Sequence, residues 1–210
     1  MKALRILVGL CIVAVPLLGA AQERGALLVA TGQITDEAFG ETAVLLLHFG
    51  ADGAIGVAIN RPTWVSTREV FPERGYLHRY RGRVFHGGPL AQATVLVLRR
   101  TQSPGVADSS PLVDDVYMSS DLGLLEAEIG RLRDDSVLRF YAGHASWRPG
   151  QLEEEIEAGA WRVLDSSASI IFDPDPATLW SRLATQDAQI TVRDGDIASP
   201  ERREGAVSAR

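Results

Sequence analysis

Two runs early in the chain, "GALLVAT" (25–31) and "TAVLLLHF" (42–49), are apolar at successive positions, not alternate ones. Continuous runs of that length predict strands covered on both faces, because a strand with one wet face alternates. "GADG" (50–53) carries an Asp-Gly turn signal and leads into "AIGVAIN" (54–60), so a hairpin is predicted there. Asn60-Arg61-Pro62 ends that strand, since proline offers no amide donor and restricts the residue before it. "STREVF" (66–71) predicts a short helix capped by Ser66. "RVFHGGP" (83–89) and "ATVLVLR" (93–99) predict strands around a glycine corner, and the Ser/Pro/Asp-rich residues 101–114 a surface loop.

In the second half the spacing alternates between strand and helix periods. "VYMSS" (116–120) predicts a strand, and Asp121 then caps a helix whose Leu122, Leu125, Ile129 and Leu132 form one stripe. "VLRFYAG" (137–143) predicts a strand, Pro149 to Ala158 a helix closed by Gly159, and "AWRVLD" (160–165) and "SIIF" (169–172) two more strands. Asp175-Pro176 opens a last helix containing Leu179, Trp180 and Leu183. Strands outnumber helices and a hairpin interrupts any strand–helix alternation, which argues for an α+β or mixed-sheet arrangement over a doubly wound parallel sheet. No repeat or linker divides residues 25–190, so one domain is expected. Residues 193–210 have almost nothing to bury and are expected to form a disordered tail.

Residues 1–21 do not belong to this pattern. Lys2 and Arg5 precede an apolar stretch from Ile6 to Leu18, and Gly19-Ala20-Ala21 follows as a small-residue cleavage site. That stretch is shorter than the roughly 20 residues a membrane span needs. A signal peptide cleaved near Ala21 is expected, with export to a periplasm or secretion and no stable membrane span afterwards. Cleavage takes 21 basic residues to 19 against 27 acidic ones, moving the net charge from −6 to −8. The chain's one cysteine, Cys11, and its one lysine, Lys2, both lie in the leader. Disulfides, cysteine catalysis, Schiff-base lysines and phosphate-loop lysines are therefore excluded from the rest. A net-acidic exported chain also makes a poor partner for nucleic acid, whose phosphates demand basic surface.

The candidate chemistry centres on "GHASWRPGQLEEEI" (143–156). Pro149 suits a first helical turn, Glu153 and Glu154 suit the positive end of the helix dipole, and Leu152 with Ile156 would bury one side. Trp147, Gln151, Gly143 and Gly150 are left over, crowded where a strand end meets a helix start, a common place for ligands. Packing remains the favoured explanation of the stretch. "HGGP" (86–89) is read as a corner needing positive φ or close backbone approach, because no G-x-S-x-G elbow accompanies it. The histidines His48, His78, His86 and His144 show no zinc-site spacing, and no metal or cofactor is expected. His48, ending an apolar run, is expected to be a partly buried core residue. The arginines and tyrosines of "ERGYLHRYRGR" (73–83) read as a solvated loop in preference to a base-stacking surface.

The ordered series "GAIGVAINRP" (53–62), "HGGP" (86–89), "YAGHASWRPGQLEEEIEAGAW" (141–161) and "IIF…LW" (171–180) resembles the YqgE/AlgH family over nearly all of residues 25–185. The resemblance implies a single compact α+β domain around a large mixed β-sheet with flanking helices. It supplies no catalytic residue, cofactor or substrate, and its usual label is transcriptional regulator. The motif positions it marks are Asn60, Arg61 and Pro62; Gly87, Gly88 and Pro89; and Trp147, Gly150, Gln151, Leu152 and Glu153. The leader departs from the family, as does His144-Ala145-Ser146, where an aromatic, a small residue and glycine are expected.

The leading expectation is a non-enzymatic binding or regulatory module of the cell envelope, with an unknown protein or small molecule as ligand. Asn60, Arg61, Pro62, Gly87, Gly88, Pro89, Trp147, Gly150, Gln151 and Glu153 would converge into its binding surface. One alternative is a hydrolase-like enzyme using His86 or His144 with Glu153 or Glu154. The other is the transcriptional regulator of the family label.

Overall fold

Both early apolar runs are covered on each face. A computed structural model describes residues 24–102, 104, 110–119, 126 and 136–195. In strands β1 (Leu27–Ala30) and β2 (Ala43–Gly50), Leu27, Val29, Leu45 and Leu47 face one core, and Leu28, Ala30, Val44 and Leu46 face a second. Helices α3 (Ala168–Ile171) and α4 (Pro176–Gly195) close the first core through Ile171, Leu179 and Leu183. Helix α2 (Gln151–Glu157) closes the second through Leu152, beside Trp147 and Trp161. A third, smaller cluster packs Leu77 and Tyr80 on Phe140.

The remaining elements are β3 (Gly53–Ala58), β4 (Pro62–Ser66), α1 (Thr67–Val70), a 3₁₀ turn at Gly75–Arg79, β5 (Arg83–His86), β6 (Leu90–Arg100), β7 (Ser110–Val113), β8 (Val116–Ser119), β9 (Leu138–Trp147) and β10 (Trp161–Leu164). They form one large curled sheet in the order β10-β1-β2-β3-β9-β6-β8-β7, with β4 on β5 and β5 on β9. Its described pairings are antiparallel apart from β5 against β9, so the sheet expected to be mixed is an antiparallel one with a single parallel pair. This is the single α+β domain that the strand-rich pattern implies. Strand β9 lies at its centre: β6 borders one edge, while the other carries β5 beside Phe140–Ala142 and then β3 beside Ala145–Trp147.

Several local expectations are met. Ser66 Oγ accepts the Glu69 amide at 3.3 Å, and the Glu69 carboxylate accepts the Ser66 amide at 2.7 Å, a reciprocal capping box. Others are corrected. The stretch 101–114 contains strand β7. "SIIF" is not a strand, because Ser167 accepts the Ile170 amide at 3.3 Å and starts α3 instead. The expected end of the strand at Asn60-Arg61-Pro62 holds, since β3 stops at Ala58, and a further strand starts at Pro62, where a missing donor is tolerated. Helix α2 begins at Gln151, two residues after Pro149, because Gly150 sits at φ 78°, outside the helical region.

His48 is exposed and outside the core. A bulge sets Leu46 opposite Gly56 but His48 opposite Ile55, turning Leu47 into the core and His48 out towards Asp52, 2.7 Å away. The Asp52 carboxyl is held below the usual range by that hydrogen bond. The signal peptide expected at 1–21 and the helix expected from Asp121 (Glu126 apart) lie outside the described residues, as does the tail expected at 193–210 apart from its first three residues, which instead end α4 at Gly195.

Arg139 of β9 is 1% exposed. Its guanidinium donates to the carbonyls of Ile171 (2.8 Å) and Asp173 (2.5 Å) and lies over the rings of Phe85 and Phe172. These contacts pin the end of α3 to the central strand.

Candidate functional site

Asn60 and Arg61 hold one loop. Buried Asn60 accepts the Ala43 amide at 2.9 Å and donates to the Glu41 carbonyl at 3.0 Å. Arg61 donates to the carbonyls of Glu37 (2.9 Å) and Gly40 (2.8 Å) and to the Thr42 hydroxyl (2.7 Å). Burial lowers the Arg61 pKa, and the nearby Asp36 charge opposes that shift. Together the two side chains satisfy the backbone of a turn that no strand pairs. Within it, the Asp36 carboxylate accepts the Phe39 amide at 2.8 Å and fixes where that ring stands. Pro62, beside them, starts β4.

Gly87 and Gly88 serve a different purpose. The chain leaves β5 on one edge of β9 and enters β6 on the other, so it must cross β9 within three residues. Gly87 donates to the Ala142 carbonyl at 2.8 Å. A Cβ on Gly88 would lie 2.2 Å from the His144 carbonyl carbon, and one on Gly143, at φ 74°, would lie 2.5 Å from the Gly88 carbonyl oxygen. Pro89 follows, exposed, at the far side of the crossing.

Trp147 ends β9, and α2 carries the chain from there to Trp161 at the start of β10. The two indole N–H groups converge on a single oxygen of Glu155, at 2.9 Å from Trp147 and 2.8 Å from Trp161. Gln151, one helical turn before Glu155, donates to the other carboxylate oxygen at 2.9 Å, and its own carbonyl accepts the Arg148 amide at 3.1 Å. The Phe39 ring stands 6.3 Å from that of Trp147 and 6.0 Å from that of Trp161, which are themselves 6.0 Å apart and near perpendicular.

These groups border a cleft of about 350 Å³ between residues 33–39 and α2. Its walls include Asp36, Phe39, Trp147, Gln151, Glu155 and Trp161, and no lysine, arginine or histidine. Both ends of the loop are tied. Thr31 donates to the carbonyls of Gly159 (side chain, 2.8 Å) and Ala160 (backbone, 3.0 Å), and Arg61 grips the far end.

The N-R-P and W-x-x-G-Q-L-E stretches thus meet at one loop. Trp147 and Gln151 line the cleft, Gly150 turns the chain into α2, and Asn60 and Arg61 brace the opposite wall from behind. Gly87, Gly88 and Pro89 act at the strand crossing and line none of it. Glu153 is half-buried and Glu154 exposed on α2. No described hydrogen bond or ion pair joins either to His86 or His144. His86 instead lies 3.4 Å from the Gln92 amide nitrogen, and His144 pairs in register with Leu90. The acid–base arrangement of the hydrolase-like alternative is therefore not assembled. Among the described residues, no group of three or more His, Cys, Asp or Glu side chains could hold a metal ion, and no helix is long and apolar enough to cross a membrane.

Sequence reasoning missed Asp36, Phe39, Glu155 and Trp161. Glu155 had one legible signal, its i, i+4 spacing from Gln151. Its partnership with two tryptophans depends on β9 and β10 approaching although β1, β2 and β3 separate them in the sheet.

The fold defines a small, mainly antiparallel α+β domain with a cleft between residues 33–39 and α2. The chain belongs to the AlgH-like family (DUF179), whose family model matches residues 27–190. A UPF0301 protein of Streptomyces avermitilis is 34% identical over 164 residues, covering 74% of this chain and 82% of its own. One from Thermobifida fusca is 35% identical over 166 residues, covering 76% and 84%. Among solved structures, a Corynebacterium diphtheriae protein aligns at 29% identity and a TM-score of 0.66, over 80% of this chain and 91% of its own. The AlgH protein of Pseudomonas aeruginosa shares the fold at 22% identity and a TM-score of 0.65, over 85% and 95%. The name UPF0301 states no activity.

Proposed function

We propose that this protein is a non-enzymatic binding or regulatory module of the cell envelope, and that its ligand occupies the cleft between residues 33–39 and α2. One observation carries the binding reading: two indole N–H groups and an amide hold the Glu155 carboxylate rigid at the wall of a cavity bordered by three aromatic rings. Small-ligand sites combine apolar walls with a few fixed polar groups in this way, and 350 Å³ falls at the small end of their usual range of roughly 300–1,000 Å³. The envelope part of the reading rests on the sequence pattern of residues 1–21 alone, a basic start, an apolar stretch and a small-residue Gly19-Ala20-Ala21. A role on DNA would need basic surface facing phosphates, and this cleft is lined by carboxylates.

The binding reading is tested by amide and indole NMR mapping of the purified protein against a fragment library of mixed charge. Shifts clustered at Phe39, Trp147, Gln151 and Trp161 are expected. Fragments that bind only elsewhere, or none that bind, would sink it. Fractionation of cells expressing the chain with its own leader tests export, and a full-length product retained in the cytoplasm would refute it.

A further inference from the structure

Strand β4 does not pair evenly with β5. Pro62 stands opposite Phe85 and Ser66 opposite Arg83, so four steps along β4 match two along β5. The surplus pushes the stretch Thr63-Trp64-Val65 outward as a bulge. Thr63 holds its shape: the hydroxyl donates to the Val84 carbonyl at 2.6 Å and accepts the Val65 amide at 3.1 Å. At the crest Trp64 is 89% exposed and Val65 42%. An indole that bare gains almost nothing from the protein's own core. Its described side-chain contact is the Arg83 guanidinium, 4.7 Å from the ring centroid.

Arginines surround this crest. Residues 64–83 carry five arginines and two glutamates, +3 in a chain of net −6. Burial alternates from Tyr80 to Val84 and leaves Arg81 and Arg83 on the open side. Exposed Arg68 lies on α1, directly after β4, and exposed Arg79 ends the 3₁₀ turn that Thr67 ties to α1 through the Leu77 carbonyl at 3.3 Å. The two acids are engaged locally. Glu69 accepts the Ser66 amide and hydroxyl, each at 2.7 Å, and Glu73 pairs with Arg74 at 3.5 Å. Among the described residues no carboxylate forms an ion pair with Arg68, Arg79, Arg81 or Arg83.

Fixed cations around a protruding indole match a surface that is anionic outside and apolar just beneath. A bilayer of anionic phospholipid is such a surface: tryptophan sits at headgroup level, and guanidinium groups fork onto phosphate. Single-stranded nucleic acid fits less well, because it stacks successive bases on successive rings. Here Arg83 already lies over Trp64, Tyr80 is buried and donates to the Leu138 carbonyl, and half-buried Tyr76 takes a hydrogen bond from Arg74. An added peptide strand needs a regular edge, which the bulge removes. The acids elsewhere on the chain do not prevent contact, since charges more than about 8 Å away are largely screened at physiological salt.

We infer that Trp64, with Arg68, Arg79, Arg81 and Arg83, docks the folded domain on an anionic phospholipid surface, the indole entering the headgroup layer. The attachment is peripheral and reversible, as suits a described chain with no helix able to span a membrane. None of these residues lines the cleft between residues 33–39 and α2, so the docking does not depend on what that cleft binds.

The test uses the purified chain beginning at Gln22, which lacks the apolar leader and contains every described element. Vesicles of equal parts phosphatidylglycerol and phosphatidylcholine are compared with phosphatidylcholine alone, by co-sedimentation and tryptophan emission. Partition at least tenfold stronger onto the anionic vesicles is expected, weakening as salt rises and accompanied by a blue shift. One basic residue near an anionic surface is worth about fivefold. The double substitution Arg81→Gln with Arg83→Gln should therefore lose at least tenfold; Arg68→Gln with Arg79→Gln is the second pair should the first not fold. Trp64→Phe should keep most of the binding and lose the blue shift, because the other tryptophans are buried or half-buried. Equal partition onto the two vesicle types, binding indifferent to both arginine pairs, or a blue shift that survives Trp64→Phe overturns the inference. Tighter binding to a single-stranded oligonucleotide than to the vesicles, lost with the same arginines, also overturns it and gives the patch to nucleic acid. Fragment binding at Trp147 and Trp161 is unaffected by any of these outcomes.

Discussion

Gly88 passes directly over the carbonyl of His144, so close that an added methyl group would stand 2.2 Å from the carbonyl carbon. The obstacle is backbone of the central strand and cannot rotate aside. Gly88→Ala is therefore expected to cost about 3 kcal/mol, as overpacking against a fixed neighbour does, and to lower the melting temperature by roughly 10 °C. Gly75→Ala, where nothing lies within 4 Å, serves as the control and should be near neutral. Thermal unfolding followed by circular dichroism measures both, and equal melting temperatures would mean that the crossing is looser than described.

Asn60→Ala strips the partners from the Ala43 amide and the Glu41 carbonyl. Leaving two such groups unpaired should cost about 2 kcal/mol in denaturant titrations. Arg61→Ala acts more locally, since its three acceptors lie in the loop. Faster amide exchange confined to residues 36–42, with weaker binding in the cleft, is the expected signature. Arg61→Lys should rescue it only in part, because an ammonium cannot fork to three acceptors in the same geometry.

Arg139→Met keeps the length of the side chain and removes the donors that serve Ile171 and Asp173. The two carbonyls then lack their charged partner inside the protein, and a loss of about 3 kcal/mol is expected in urea unfolding. A neutral effect would show that water replaces the guanidinium there.

Acid stability should depend on Asp173. Burial pushes its pKa up, but hydrogen bonds from Arg182 (2.7 Å) and the Asp175 amide (2.8 Å) outweigh that, and the carboxyl is held below its ordinary value. A folded pKa below the unfolded one stabilises above the ordinary value of about 4, and that contribution disappears as pH falls through the folded pKa. Unfolding free energy should be flat from neutrality to about pH 5 and decline below about pH 4. Asp173→Asn should be less stable at neutral pH and show a shallower decline. Parallel pH curves for the two proteins would remove Asp173 from the account.

Much of the scaffold can be read from the chain. The double-faced runs at Leu27–Ala30 and Ala43–Leu47, the Ser66–Glu69 cap and the close approach at Gly87-Gly88 each have a local cause, so their spacing alone predicts them. The misreadings have local competitors. "SIIF" has strand composition, but Ser167 offers a cap that wins; His48 follows the apolar register until one bulge shifts it. The cleft was half legible. Trp147 and Gln151 stood out as residues that helix formation did not explain, whereas Phe39, Glu155 and Trp161 acquire their roles only when the curl of the sheet brings distant strand ends together.

The placement of β9 also sets a timetable. Its three neighbours, β3, β5 and β6, are all synthesised before it, the last ending at Arg100, and the strand they share is complete only at Trp147. At roughly 5–20 residues per second, the earlier strands wait on the order of several seconds without the partner that joins them. A nascent chain in that interval has bare sheet edges and cannot lock, which keeps it open to whatever machinery handles it before residue 147 arrives.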